Sequence, residues 1–227
     1  MGINAYIDYI DDPNDTFDQY LEKARAYGFR CIFADPETYD HACAALAGTG
    51  IIVAGAIDFP AGGLTLEEEL PVFERYAAAG FTEIDYVLNQ RAVEERDFAE
   101  IEREMTGVAE FCRAHGMRDK VIVEMPKLES EQDKRRVCEI ALRARPAFLK
   151  TSSGRPYKAT LEDVRLMHEV LGDAVRVKAA GGIRTYEQAR AFIDAGASAL
   201  GATAGIAIVE GERAAEAQGS RAPRGGI

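Results

Sequence analysis

The sequence predicts a single-domain (β/α)8 barrel of the α/β class. Three observations carry that expectation. Short β-branched or aromatic runs recur every ~25–30 residues, and amphipathic segments separate them in strict alternation. The chain has 227 residues, 47% of them hydrophobic, which suits the roughly 200–250 residues over which such barrels close one large core. A doubly wound open sheet is the weaker alternative.

In chain order, the runs at 5–9, 30–34, 51–57, 83–87, 120–124, 147–151, 176–180 and 199–202 read as strands. Each is a stretch of four to seven mostly apolar residues bounded by turn formers. Between them, apolar residues at helical spacing predict helices at 17–27, 38–46, 66–79, 92–115, 131–144, 161–171 and 186–195, with a short one after Ala204. Gly28, Gly80, Gly116 and Gly196 stand where a residue past the last helical turn needs positive φ. The barrel is expected to occupy residues 1–211, with 212–227 a flexible tail that from Glu216 onward is rich in Gly, Arg and Pro.

A formal net charge of −11 and a pI near 4.9 argue against a nucleic-acid or membrane-surface partner, because phosphate surfaces demand a basic face. A small anionic ligand would have to rely on local donors. Cys31, Cys43, Cys112 and Cys138 form no CxxC pair and no Cys/His cluster, so neither a metal site nor a disulfide framework is expected and the thiols read as reduced and mostly buried. No leader-like segment and no stretch of ~18 apolar residues is visible, which leads us to expect a soluble, cytoplasmic protein. A homodimer is the commonest symmetric assembly for such a chain.

Two lysines dominate the chemistry. Lys150 ends the run Phe148-Leu149-Lys150 before Thr151-Ser152-Ser153-Gly154, and Lys178 lies in Val177-Lys178-Ala179-Ala180 before Gly181-Gly182. On neighbouring parallel strands both ammonium groups enter one pocket at the strand ends, where barrels of this kind carry their chemistry. Burial and mutual repulsion then lower the pKa of Lys150, making it a nucleophile able to hold a carbonyl as an iminium. Lys178 is either the partner that tunes Lys150 and carries a proton, or half of a structural ion pair.

Asp85, in Glu83-Ile84-Asp85-Tyr86-Val87, shares a face with Val87 and needs a cation inside a barrel. Lys178 is its expected partner, as a proton relay or as simple charge balance. Glu124 is expected to hold one lysine, with Thr151 and Ser153 supporting the site from the loop. Gly154, Gly181, Gly182 and the turn Gly201-Ala202-Thr203-Ala204 end the last three strands, and backbone N–H groups there suit a phosphate. Arg155 and Lys158 read as an exposed, solvated pair, and the acidic stretches 67–69 and 94–104 as solvent-facing helix surface. His41, His115 and His168 fall on helices and receive no role.

Together the two lysine motifs, Phe59-Pro60-Ala61-Gly62, Glu83-Ile84-Asp85 with Asn89, Lys120 to Glu124, Lys178-Ala179-Ala180-Gly181-Gly182-Ile183-Arg184-Thr185 and Ala207-Ile208-Val209-Glu210-Gly211 resemble the class I 2-deoxyribose-5-phosphate aldolases. The resemblance runs through most of the chain. It implies a Schiff-base lysine at Lys150, a second lysine at Lys178 with Asp85 as its relay partner, a phosphate cradle at the glycine turns, and no cofactor. The implied activity is reversible cleavage of 2-deoxyribose 5-phosphate to acetaldehyde and glyceraldehyde 3-phosphate. The chain departs from the family pattern at Tyr9-Ile10, where a His-Thr pair is usual, at Asp35, Asp58 and Ala204, and in the loop Arg155-Pro156-Tyr157-Lys158. Two added acids and a lost hydroxyl beside the substrate keep open a different phosphorylated or polyol carbonyl substrate, or a barrel that only binds a metabolite.

Overall fold

The computed structural model describes residues 2–219. Eight parallel strands close a barrel in sequential order: β1 Ile7–Tyr9, β2 Cys31–Phe33, β3 Ile52–Ile57, β4 Glu83–Val87, β5 Arg118–Ile122, β6 Phe148–Lys150, β7 Arg176–Ala180 and β8 Ala197–Ala202. Around them lie α1 Phe17–Tyr27, α2 Tyr39–Ala45, α3 Leu66–Ala79, α4 Gln90–Glu95, α5 Phe98–Ala114, α6 Glu131–Ala144, α7 Leu161–Leu171, α8 Tyr186–Asp194 and α9 Gly205–Gly219. The expected alternation is therefore present throughout.

Local chemistry explains the helix starts. Thr16 and Thr185 each form a reciprocal capping box with Gln19 and Gln188, and at Thr65 both the backbone N–H and the hydroxyl donate to Glu68 Oε2. Ser130 and Thr160 cap α6 and α7 by accepting from Asp133 N and Asp163 N. Each such cap contributes about 1 kcal/mol by satisfying an otherwise unpaired amide.

Three boundaries differ from the sequence expectation. The helix expected over 92–115 is two, because Arg96 takes a left-handed φ of 55° and Asp97 begins a new helix by accepting from Glu100 N. The fifth strand lies two residues earlier than expected, because left-handed Glu124 (φ 62°) turns the chain away beyond Ile122. The boundary expected at 211 falls inside α9, which continues as helix to Gly219. The remainder of the expected tail, 220–227, lies outside the described residues.

The apolar core sits between barrel and helices, where Phe73, Tyr86, Ile84, Val121, Leu149, Val164, Leu200 and Ile208 are all buried. Each fully buried aliphatic or aromatic side chain of this kind contributes ~1.5–3 kcal/mol. The barrel interior is different. Where branched aliphatic layers are usual, it holds Asp8, Glu83, Asp85, Lys120, Lys150 and Lys178, all buried.

Two acids in the stretches expected to face solvent are also buried. Glu69 on α3 and Glu104 on α5 turn inward, Glu104 accepting from Asn89 N through both oxygens (3.0 and 3.1 Å). Neither Glu69 oxygen has a hydrogen-bond partner among the described residues. Burial, reinforced by the carboxyls' mutual repulsion and by Asp58, pushes Glu69 up to about 9; burial pushes Glu104 up to about 8. Helical spacing places Glu69 and Glu104 among the apolar positions of α3 and α5, a signal that charge alone conceals.

Candidate active site

The last strands place the two lysines opposite each other. Lys150 on β6 is the register partner of Lys178 on β7, and Asp85 on β4 is the partner of Lys120 on β5. Since every second residue of a strand faces the lumen, Glu83 and Asp85 on one strand and Lys120 and Ile122 on the next are brought round to the same interior. Lys150 Nζ and Lys178 Nζ both donate to Asp85 Oδ2, each at 2.7 Å. Lys178 also pairs with Asp8 Oδ2 at 2.6 Å.

Below them, Lys120 Nζ lies 3.0 Å from Asp85 Oδ1, 2.9 Å from Glu83 Oε2 and 3.4 Å from Asp8 Oδ2. Arg30 closes the foot of the barrel, paired with Asp8 and, at 3.0 Å, with Glu83. Asp8, Lys120, Glu83 and Arg30 carried no role in the sequence reading. Charged residues inside apolar runs (Ile7-Asp8-Tyr9 and Lys120-Val121-Ile122) and the shared parity of Glu83 and Asp85 were the available signals.

The electrostatics follow from burial and these pairs. Burial lowers the pKa of Lys150, Asp85 opposes the shift, and Lys178 and Lys120 add to it, leaving the amine at about 8. Burial would raise Asp85, but Lys120, Lys150 and Lys178 outweigh it and hold the carboxyl well below its ordinary value. Lys120 shows the reverse balance: Asp8, Asp85, Cys31 and Glu83 overcome burial and keep it raised well above an ordinary lysine. An amine at about 8 beside a permanent carboxylate can add to a carbonyl near neutral pH.

A small cavity of about 110 Å³ opens on Lys150, lined by Ile10, Phe33, Ala56, Phe59, Asp85 and Lys150 itself. Phe59, 36% exposed, lies over the amine with its ring centre 5.5 Å from Nζ. Ile10 and Phe59 also line a second cavity of about 210 Å³ with Gly154, Gly181, Gly182, Gly201, Ala202 and Thr203. At Gly181 the backbone has φ 96°, and a Cβ would come within 2.8 Å of Gly154 Cα and 2.9 Å of Tyr157 O. Only glycine permits that approach of two loops.

Most of the expected glycine-turn residues thus share one cavity beside the lysine; Ala204, one residue further on, is not among its lining residues. Arg155, Lys158 and Arg184 are exposed, as expected for the first two, yet all three residues line that cavity. Thr151 and Ser152 tie β6 to β7: Thr151 Oγ1 accepts from Ala180 N at 3.2 Å, and Ser152 Oγ donates to Ala180 O at 2.7 Å.

Two expectations about acids are corrected. Glu124 holds no lysine; its Oε1 accepts from Ser153 N at 2.9 Å, anchoring the loop before Gly154, and burial raises its pKa. Asp58 points into its own loop, accepting from Leu64 N at 2.7 Å. Asp35 faces a neighbouring groove with Asp11 and Asp15. Of the three substituted positions expected at the substrate, Ile10 alone lines the cavities over Lys150 and the glycine turns.

All four cysteines are free, three of them buried, and burial pushes Cys31 up to about 12. Among the described residues no helix is long and apolar enough to cross a membrane.

The fold is that of a (β/α)8-barrel protein, and the relatives it matches make it an aldehyde-lyase. The chain belongs to the deoxyribose-phosphate aldolase family. It is 39% identical over 216 residues to the deoxyribose-phosphate aldolase of Caldanaerobacter subterraneus subsp. tengcongensis, covering 92% of this chain and 93% of that protein. It is also 39% identical over 222 residues to that of Streptococcus pneumoniae serotype 19F, covering 94% and 98%. The tetrameric deoxyribose phosphate aldolase from Aeropyrum pernix superposes with a TM-score of 0.82 at 26% identity, over 94% of this chain and 92% of that one. No protein-family model matches the chain.

Proposed function

We propose that this chain is a class I aldolase that reversibly cleaves 2-deoxyribose 5-phosphate to acetaldehyde and glyceraldehyde 3-phosphate through a Schiff base on Lys150. The observation that carries the reading is the sharing of Asp85 Oδ2 by two buried lysines, 2.7 Å from each. Neutral Lys150 adds to the C1 carbonyl, and loss of water gives an iminium. The proton leaves the C3 hydroxyl, the C2–C3 bond breaks, and its electron pair moves through C2 to the iminium nitrogen, releasing glyceraldehyde 3-phosphate and leaving an enamine. Protonation at C2 and hydrolysis then return acetaldehyde and the free amine. Lys178 and Asp85 form the relay that delivers and removes these protons.

In this reading the phosphate lies in the glycine-lined cavity, with backbone N–H groups as donors and Arg155, Lys158 and Arg184 as the local positive charge an acidic protein otherwise lacks. Neither Asp35 nor Asp58 lines either cavity, although the groove of Asp35 shares Phe33 and Ala56 with the one over Lys150, and this supports deoxyribose 5-phosphate over a differently charged substrate. Assembly of identical copies, a homodimer at the least, belongs to the proposal, as does a cytoplasmic location. The test is product analysis. Incubation with 2-deoxyribose 5-phosphate should yield acetaldehyde and glyceraldehyde 3-phosphate in equal amounts, and borohydride added during turnover should inactivate the enzyme irreversibly. Turnover that borohydride does not stop would contradict it.

A further inference from the structure

The interior of the barrel is a continuous set of ion pairs deeper than the reaction requires, with the solvated Arg118 joining it at Glu83. Arg30, Lys120, Lys150 and Lys178 provide four cationic positions, and Asp8, Glu83 and Asp85 provide three carboxylates, linked without interruption from the foot of the barrel to Lys150. With four cations charged the set carries an excess of one positive charge in a buried volume. Release of a single proton makes it neutral.

We propose that Lys120 is a positioning residue for the aldol reaction: with Glu83 and Arg30 beneath it, it fixes the charge balance of the barrel interior so that Lys150 is the position that goes neutral. The proposal rests on the reading of Lys150 as the nucleophile. Lys120 is placed for this task by three contacts of 2.9–3.4 Å to three different carboxylates. It lies 3.0 Å from Asp85 Oδ1 as an ion pair without a hydrogen bond, while Lys150 and Lys178 both donate to Oδ2, so neither of those two has an Asp85 oxygen to itself. Lys178 has a second carboxylate in Asp8, and Arg30 has both Asp8 and Glu83. Among the described residues Lys150 has a single ion-pair partner, its share of Asp85, so in a buried set with an excess positive charge it is the least compensated cation.

Other groups leave this balance in place. Arg118 reaches Glu83 Oε1 at 2.8 Å from a side chain 42% exposed to solvent, and Arg176 stacks on Phe148 at the same open end. Cys31 lies 3.9 Å from Lys120 Nζ as a neutral thiol. Glu124 feels the Lys150 charge without forming an ion pair with it, one of its oxygens being committed to Ser153 N. Lys120 touches neither cavity, so its influence on substrate passes through Asp85.

The experiment is the pH dependence of borohydride-trapped adduct formation with acetaldehyde, in the unaltered protein, Lys120→Met and Glu83→Gln. Removing the Lys120 charge should move the midpoint to higher pH by about one unit or more, and removing the Glu83 charge should move it to lower pH. A purely structural role would lower the yield of adduct without displacing midpoints in opposite directions. Because either variant can fail to fold, side-chain 15N NMR of lysines in the unaltered protein supplies a second measurement. Lys150 should lose its proton near pH 8 while Lys120 remains charged. A midpoint unmoved in Lys120→Met, displacements of the same sign, or deprotonation of Lys120 before Lys150 would overturn the proposal. Absence of any adduct at Lys150 in the unaltered protein would instead overturn the Schiff-base reading.

Discussion

Lys150 and Lys178 stand opposite each other in the register of β6 and β7, and their amines meet on one oxygen of Asp85, 2.7 Å from each. A carboxylate shared in this way compensates each cation only in part. Lys178 has Asp8 in addition; Lys150 does not. The asymmetry follows from strand order: β7 adjoins β8, which adjoins β1 and brings Asp8 close, whereas β6 lies a strand further round.

The rate of adduct formation should therefore rise with pH and level off above about 8, the value to which burial and then the neighbouring lysines bring Lys150. Roughly a tenth of such an amine is neutral at pH 7, against under ~0.1% for an ordinary lysine. Lys178→Met removes a like charge and leaves Asp85 more fully to Lys150. Its midpoint should move up by at least about one unit, slowing adduct formation at pH 7 about tenfold. A pH profile unchanged by this substitution would mean that the two amines do not couple.

The glycine-lined cavity is tested at Gly182, where φ is 81° and a Cβ would meet only the Lys158 side chain, 3.2 Å away at Cδ. Gly182→Val should raise KM for 2-deoxyribose 5-phosphate at least about tenfold with a smaller effect on kcat, since phosphate binding is remote from the breaking bond. Inorganic phosphate should compete with substrate in the unaltered protein and less well in the variant. Equal kcat/KM on 2-deoxyribose and its phosphate would contradict the assignment.

Among the positions that depart from the family pattern, Ile10 alone lines both cavities. Ile10→Thr should change kcat/KM for deoxyribose 5-phosphate, and Asp35→Asn and Asp58→Asn should leave it within about twofold because their carboxylates touch neither cavity. Steady-state kinetics on the three variants distinguishes this from the view that all three positions face substrate.

Stability should fall as pH rises from about 5 to about 9. Burial, with mutual repulsion added at Glu69, raises Glu69 and Glu104 to about 9 and about 8, so the folded chain holds protons that the unfolded chain releases near pH 4–5. Their contribution is complete below the unfolded value and is lost as pH passes through the folded ones. Lys150 has the opposite sign, its folded value lying below the unfolded one, so its contribution improves between pH 8 and about 10.5. Glu69→Gln removes the cost of holding that proton in the folded chain, and although the amide is no better partnered it should add about 1–3 kcal/mol at pH 8–9. That corresponds to a rise in Tm of several degrees, at about 2–4 °C per kcal/mol. A Tm independent of pH over this range would contradict the account.

The barrel was legible because its signals are local: alternating runs, helix-stop glycines, and residues whose neighbours in sequence fix their conformation. Lys150, Lys178 and Asp85 were legible because each is a charge within or at the end of a short strand run, Lys150 at its last residue and the other two at mid-strand. Arg96 was not, since a left-handed non-glycine residue within a helical pattern leaves no compositional mark. Glu69 and Glu104 were misread because charge was weighed above helical position. Glu124 was matched to the wrong partner because its left-handed backbone turns it toward Ser153, which no spacing rule conveys. Lys120 was open to the same reading as Lys178, standing beside Asp85 on the adjacent strand, whereas Asp8 required knowing that the sheet closes, since it reaches Lys178 only through the contacts of β1 with β8 and β8 with β7.

The central claim is that Lys150 forms the covalent bond. Borohydride reduction in the presence of acetaldehyde, followed by proteolysis and mass spectrometry, locates the adduct directly. An ethyl group on Lys150, absent from Lys150→Arg together with turnover, is the predicted result; the same modification found on Lys178, or persistent turnover in Lys150→Arg, would contradict it.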